Sequence, residues 1–207
     1  MDQKQKFDLN DAQIVRRETC YSGFFSLDRL TIRHRLFDGS MSEEFTREIF
    51  ERGHASAVLL YDPARDAVVL IRQFRIGAMS AGMNPWLYEI VAGINDPGET
   101  PEDVVRRESE EEAGLKVDRL HFVSRFLVSP GGTSETISLF IGTVDSSVAG
   151  GVHGLASEHE DIGVQVKSFD EVMAMAESGE ICNATALVAI YYLASHRDLF
   201  RDRESCS

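Results

Sequence analysis

Between residues 93 and 115 the chain sets Asp96, Glu99, Glu102, Asp103, Glu108, Glu110, Glu111 and Glu112 against only two cations, Arg106 and Arg107. Carboxylates this crowded are disfavoured unless cations or solvent offset them. The local sequence predicts a helix over 101–113. Thr100 can cap the first N–H groups, Pro101 suits the first helical position, and Glu102 and Asp103 favour the positive dipole end. Gly114 tolerates the left-handed conformation that stops a helix. At about 100° per residue, Val104, Val105, Glu108, Glu111, Glu112 and Leu115 share one side, while Glu102, Arg106, Ser109, Glu110 and Ala113 fall mostly on the other. Three carboxylates therefore share the aliphatic face, the one that should meet a sheet. A charge run is ordinarily a solvated helix face, but a solvated stripe lies opposite the apolar one and does not merge with it. Half-buried like charges must protonate, pair or bind a cation. Arg107 can pair with Glu111 at i,i+4, yet it cannot neutralise all three. Hard divalent cations, which prefer carboxylate oxygens, answer the pattern.

The string GINDPGETPEDVVRRESEEEAGL, residues 93–115, resembles the Nudix box, G-x5-E-x7-R-E-U-x-E-E-x-G-U with U a bulky aliphatic. Gly93, Glu99, Arg107, Glu108, Glu111, Glu112, Gly114 and Leu115 fall on its fixed positions. Ser109 stands where an aliphatic is usual, at the edge of the buried side, and should cost packing rather than chemistry. The resemblance implies an α+β fold: the Nudix α/β/α sandwich around a mixed sheet, here with an N-terminal antiparallel β-sheet segment. It also implies Glu108 and Glu112 as principal metal ligands, joined by the backbone carbonyl of Ala92. Two or three Mg²⁺ or Mn²⁺ ions per site are expected. Glu111 would ligate a metal directly or through water, Arg107 would orient the glutamates, and Glu99 would be structural.

Outside the box, the chain is similar to the ADP-ribose pyrophosphatase branch of this superfamily over almost its full length. Gly23-Phe24-Phe25, the stretch 47–54, Ser129-Pro130-Gly131-Gly132-Thr133-Ser134-Glu135 and the stretch 151–161 carry this likeness. The branch implies hydrolysis of ADP-ribose to AMP and ribose 5-phosphate. Other nucleoside diphosphate sugars, NADH and dinucleotides are the rival substrates. A sensor that binds ADP-ribose without turnover is the rival of another class, disfavoured because the box glutamates are all kept. Phe24 would stack on the adenine with Arg47 beside it, Arg75 would meet the phosphates, and Glu135 would bond ribose hydroxyls. Each has a plainer role open to it: Phe24 as a strand-face aromatic, Arg75 as a solvated strand end, Pro130-Gly131-Gly132 as a turn. A mobile loop bearing Glu158 and Glu160 would supply a general base and a further metal ligand, with Glu158 as the base, Glu160 as the ligand and His159 a bystander.

The elements that must position these residues read as follows. The first 50 residues look β-rich, with Asp38-Gly39 a turn and 45–50 a short strand. Strands are predicted at 55–61 and 67–74, joined by the loop 62–66, then at 86–92, 122–128, 137–144 and 161–169. Two more helices are predicted at 169–177, capped by Ser168, and at 184–196 after Asn183. Residues 1–50 form an expected N-terminal segment for homodimerisation, and 51–207 the hydrolase domain. The chain has 207 residues, 43% of them hydrophobic, and a formal net charge of −13. That composition suits an ordinary globular protein, and the charge disfavours nucleic acid as a partner. The N-terminus lacks an apolar signal core and no apolar run reaches spanning length, so no membrane is expected and the cytoplasm is. Cys20, Cys182 and Cys206 have no zinc or redox spacing and are expected to be free thiols.

Overall fold

All eight residues of β4 (Ala55–Asp62) and most of β5 (Ala67–Phe74) are buried. Strands covered on both faces read as continuous apolar runs, as these do. In the computed structural model, which describes residues 6–200 and at Glu158 the backbone alone, they form the centre of an eight-stranded mixed sheet. The other members are β6 (Trp86–Glu89), β7 (Val91–Ile94), β8 (Arg119–Leu127), β9 (Thr136–Thr143), β10 (Gly151–His153) and β11 (Ile162–Ser168). Its main order is β10-β11-β5-β4-β9-β8, with β4 and β9 parallel.

β4 pairs with β5 only at Leu60–Asp62, where the hairpin joins them, and the two strands then part. β6 fills the gap along β5 and β7 fills it along β4. The stretch 86–92, expected as one strand, is thus two, broken at Ile90 where the chain changes partner. That switch carries residues 91–94 to the edge of β4.

Alternate residues of the central strands feed two cores. Ala57, Leu59, Tyr61, Val68 and Leu70 pack with α3 (Phe169–Ser178) and α4 (Ala184–His196), through Phe169, Val172, Ile190 and Leu193. Val58, Leu60, Val69, Ile71 and Val91 pack on the other face with Val105, Ala113 and Leu115, from α2 (Pro101–Ala113) and the turn after it. The result is the expected α/β/α sandwich. Ser168 caps α3 as predicted, and Asn183, expected just before α4, caps that helix. A short helix, α1 (Ile76–Ser80), follows β5.

The chain divides into two compact units, Met1–His54 with Leu127–Thr136, and Ala55–Phe126 with Ile137–Ser207. The first unit is an antiparallel sheet of β1 (Ala12–Ser22), β2 (Ser26–His34) and β3 (Phe45–Glu51). Residues 128–135 attach to the end of β3, where the Phe50 N–H donates to the Gly132 carbonyl at 2.8 Å. Cys20 and Cys182 are free and exposed, and Cys206 lies outside the described residues. Among the described residues no helix is long and apolar enough to cross a membrane.

Candidate functional site

α2 starts and stops where its sequence dictates. Thr100 and Asp103 form a reciprocal capping box, and Gly114 closes the helix at φ 67°. The helix lies against β7 and β4. Its contact face is broader than one stripe: Ser109 and Ala113, expected mostly on the far side, are buried as well. The Ser109 hydroxyl donates to the Val105 carbonyl at 2.6 Å, so the polar residue in an aliphatic place is satisfied within its own helix.

The same face buries carboxylates. Glu112 is 2% exposed, and one of its oxygens accepts from the Ala92 N–H at 3.0 Å. Glu108 stands one turn earlier, against Gly93. A Cβ on Gly93 would fall inside the Glu108 carboxylate, so β7 and α2 approach this closely only because residue 93 has no side chain. Arg107 gathers the remaining acids. Its guanidinium is bidentate on Glu99 (3.0 and 3.1 Å) and also donates to Glu108 (2.7 Å) and Glu111 (3.1 Å). Those bonds, led by Glu99, hold its pKa above the ordinary arginine value.

One guanidinium does not balance this row. Burial pushes Glu112 up to about 8; the Ala92 N–H and the charge of Arg75 pull against it, while Glu108 and Glu160 push it further. Burial likewise lifts Glu108 to about 7, against its bonds to Arg107 and with the charges of Glu111 and Glu160. Glu160 thus belongs electrostatically with the two box glutamates. Its own carboxylate accepts from the Leu155 N–H at 3.2 Å, and the Gly154 N–H donates to the Glu111 carbonyl, which ties this loop to α2. Glu158 closes the one-turn 3-10 helix Ala156–Glu158, and His159 follows in the left-handed conformation at φ 57°.

The donors are hard carboxylate oxygens short of positive charge, which suits Mg²⁺ or Mn²⁺. Among the described residues no three His, Cys, Asp or Glu gather closely enough to hold a metal ion by themselves. An open row is the form Mg²⁺ favours, since it keeps waters and shares its sphere with phosphates.

Arg75 caps the strand side of this region. It follows β5 as the N-cap residue of α1, and its Nε and Nη2 donate to Glu89 at 2.9 and 2.8 Å. Phe24, Arg47 and Glu135 all fall in the N-terminal unit. Phe24, at the β1–β2 turn, is 89% exposed and meets Phe25 edge-on, and Phe25 in turn meets Phe50. Arg47 lies over Phe45, 4.6 Å from the ring centroid. The cation of that aromatic cluster is Arg52, 5.2 Å from the Phe25 centroid and 3.5 Å from the buried Glu135 carboxylate. Sequence reading missed Arg52 because it stands close behind Arg47, just past the end of β3, and only the fold separates their partners. A Cβ on Gly131 or Gly132 would meet open space within the chain, and the Gly132 N–H donates to the Ser129 carbonyl at 3.0 Å.

An acidic helix packed through Gly93 on a mixed sheet, with Arg107 bonded to its carboxylates, thus lies on one face of an α/β/α sandwich. A family model described as NUDIX domain matches residues 51–184, and the chain belongs to this family. It is 52% identical over 196 residues, 95% of this chain and 94% of the relative, to the ADP-ribose pyrophosphatase of Escherichia coli (strain K12). It is 44% identical to the ADP-ribose pyrophosphatase of Haemophilus influenzae, over 93% of this chain and 90% of that one. A GDP-mannose pyrophosphatase of Escherichia coli O1:K1 / APEC is 32% identical over 87% of this chain and 93% of the relative. A crystal structure of an ADP compounds hydrolase shares the fold, with a TM-score of 0.70 at 18% identity over 94% of this chain and 98% of that one.

Proposed function

We propose that this chain hydrolyses the pyrophosphate of ADP-ribose to AMP and ribose 5-phosphate with the help of divalent metal. The observation that carries the reaction type is the carboxylate row on the sheet-facing side of α2, with Glu112 buried, Glu108 partly buried one turn earlier, and Glu111 held beside them by Arg107. What favours the substrate is the identity to relatives named ADP-ribose pyrophosphatase, well above that to those named for GDP-mannose.

In this reading Glu108, Glu112, Glu160 and the Ala92 carbonyl hold two or three Mg²⁺ or Mn²⁺ ions, with Glu111 ligating directly or through water. When bound, the metal neutralises phosphate charge and lowers the pKa of water. Glu158 takes a proton from the attacking water, whose oxygen bonds to one phosphorus as the bridging P–O bond breaks. Arg107 keeps Glu108 and Glu111 in place, and Arg75 meets the phosphates. Phe24 offers a face to the adenine, Arg47 supports it, and Glu135 accepts from ribose hydroxyls. A panel of ADP-ribose, GDP-mannose, ADP-glucose, NADH and diadenosine polyphosphate tests this reading. ADP-ribose should have the highest kcat/KM. A faster panel member overturns the substrate, and silence across the panel points to a sensor.

The N-terminal segment, residues 1–50, is assigned to dimerisation. β1 is an edge strand with exposed Ile14, Val15 and Tyr21, which a second copy would cover. Light scattering at micromolar concentration should give twice the chain mass; a monomer removes the assignment.

A further inference from the structure

Glu89, the last residue of β6, is 5% exposed and lies outside the acidic motif. Its Oε2 accepts from Arg75 Nε and Nη2 and from Gln73 Nε2 at 3.2 Å. Its Oε1 accepts from Asn183 Nδ2 at 2.8 Å. Asn183 Oδ1 in turn accepts from the Ala186 N–H and caps α4. One buried carboxylate therefore joins the end of β5, the end of β6 and the start of α4.

A purely structural joint has no need of this. Burying a carboxylate costs desolvation, and apolar residues of similar volume hold strands together as well or better. What the carboxylate adds is direction. It grips the guanidinium by its Nε edge, and a planar fork held along one edge presents the remaining Nη1 donors in a fixed direction. The guanidinium is half-exposed, and the carboxylate that grips it stands three residues before Ala92, whose N–H holds Glu112, so Arg75 borders the glutamate row on which a pyrophosphate would sit. We propose that Glu89 is a positioning residue that holds Arg75 aimed at the substrate's pyrophosphate, backed by Gln73 and Asn183. This rests on the pyrophosphate reading above and not on which nucleotide carries it.

The test is a double-mutant cycle of Glu89→Gln and Arg75→Ala, read as kcat and KM on whichever panel compound the unmodified chain cleaves. Glu89→Gln should raise KM about ten-fold, in the range seen when a residue that orients a binding group is lost. Arg75→Ala should raise it at least as much. The double variant should be no worse than Arg75→Ala alone, because Glu89 acts only through that side chain. Glu89→Asp, which keeps the charge but withdraws it, should fall between, and it carries the cycle if Glu89→Gln does not fold. Losses that multiply, or an unchanged KM in a folded Glu89 variant, would overturn the proposal while leaving the substrate reading intact. Failure to cleave any panel compound, with no calorimetric binding of inorganic pyrophosphate in Mg²⁺, would remove both.

Discussion

Glu112→Gln should cut AMP release from ADP-ribose by about 10³-fold or more, and at the same time make the metal-free protein more stable at pH 8. The first effect follows from removing one of the carboxylates assigned to the ions, with several kcal/mol of charge stabilisation at stake and about 1.4 kcal/mol per ten-fold in rate. The second follows from burial. The folded pKa of Glu112, about 8, lies above its ordinary value of 4.5. The folded state then binds more protons than the unfolded state between these limits, so stability falls as pH rises from about 4.5 to about 8. Glu108, lifted to about 7, adds a loss over the lower part of the same window. Glutamine keeps the shape and can still accept from the Ala92 N–H, but it carries no charge to bury. Thermal melts in EDTA should show the variant at or below the unmodified chain near pH 5 and above it at pH 8. Mg²⁺ should raise the melting temperature of the unmodified chain, more at pH 8 than at pH 6, and raise that of the variant much less. A variant that melts lower at every pH would mean that Glu112 is a structural hydrogen-bonding group.

Gly93→Ala should be nearly as damaging, although it removes no functional group. Its Cβ would occupy the space of the Glu108 carboxylate, so either that side chain leaves or β7 and α2 separate. Displacing a reacting or ligating group by about 1 Å can cost about 100-fold in rate. Overpacking a close contact typically costs about 1–3 kcal/mol in stability. The expected outcome is a loss of kcat of about 100-fold with a lowered melting temperature. Gly98→Ala serves as the control for glycine loss as such on stability, since it lies nearby in open space, though at φ 97°. Full activity in a folded Gly93→Ala protein would show that Glu108 has another place to stand.

The core of this account was legible in the sequence because α2 states its own limits. Thr100, Pro101 and Gly114 fixed its ends, and the merging of Glu108, Glu111 and Glu112 with Val104 and Val105 showed that acids were being buried. The central strands were legible for a related reason: continuous apolar runs bounded by turn residues. Three features were hidden, each for a physical cause. β1 is exposed along almost its whole length, so no burial pattern marks it. The break at Ile90 depends on β4 and β5 parting, which no local pattern records. The Glu89 network unites Gln73, Arg75 and Asn183, residues up to 94 positions from it in sequence, through contacts that exist only in the fold. Arg52 and Arg47 differ for the same reason: the arginine just past β3 meets Phe25 and Glu135, and the one within β3 meets Phe45.

The most direct test of the central claim is AMP release from ADP-ribose, with Mg²⁺ or with EDTA, by the unmodified chain and by Glu112→Gln side by side. The account predicts AMP and ribose 5-phosphate in equal amounts from the unmodified chain with Mg²⁺ alone, and near silence in the other three reactions. Turnover that persists in EDTA, or in the Glu112→Gln variant, would contradict it.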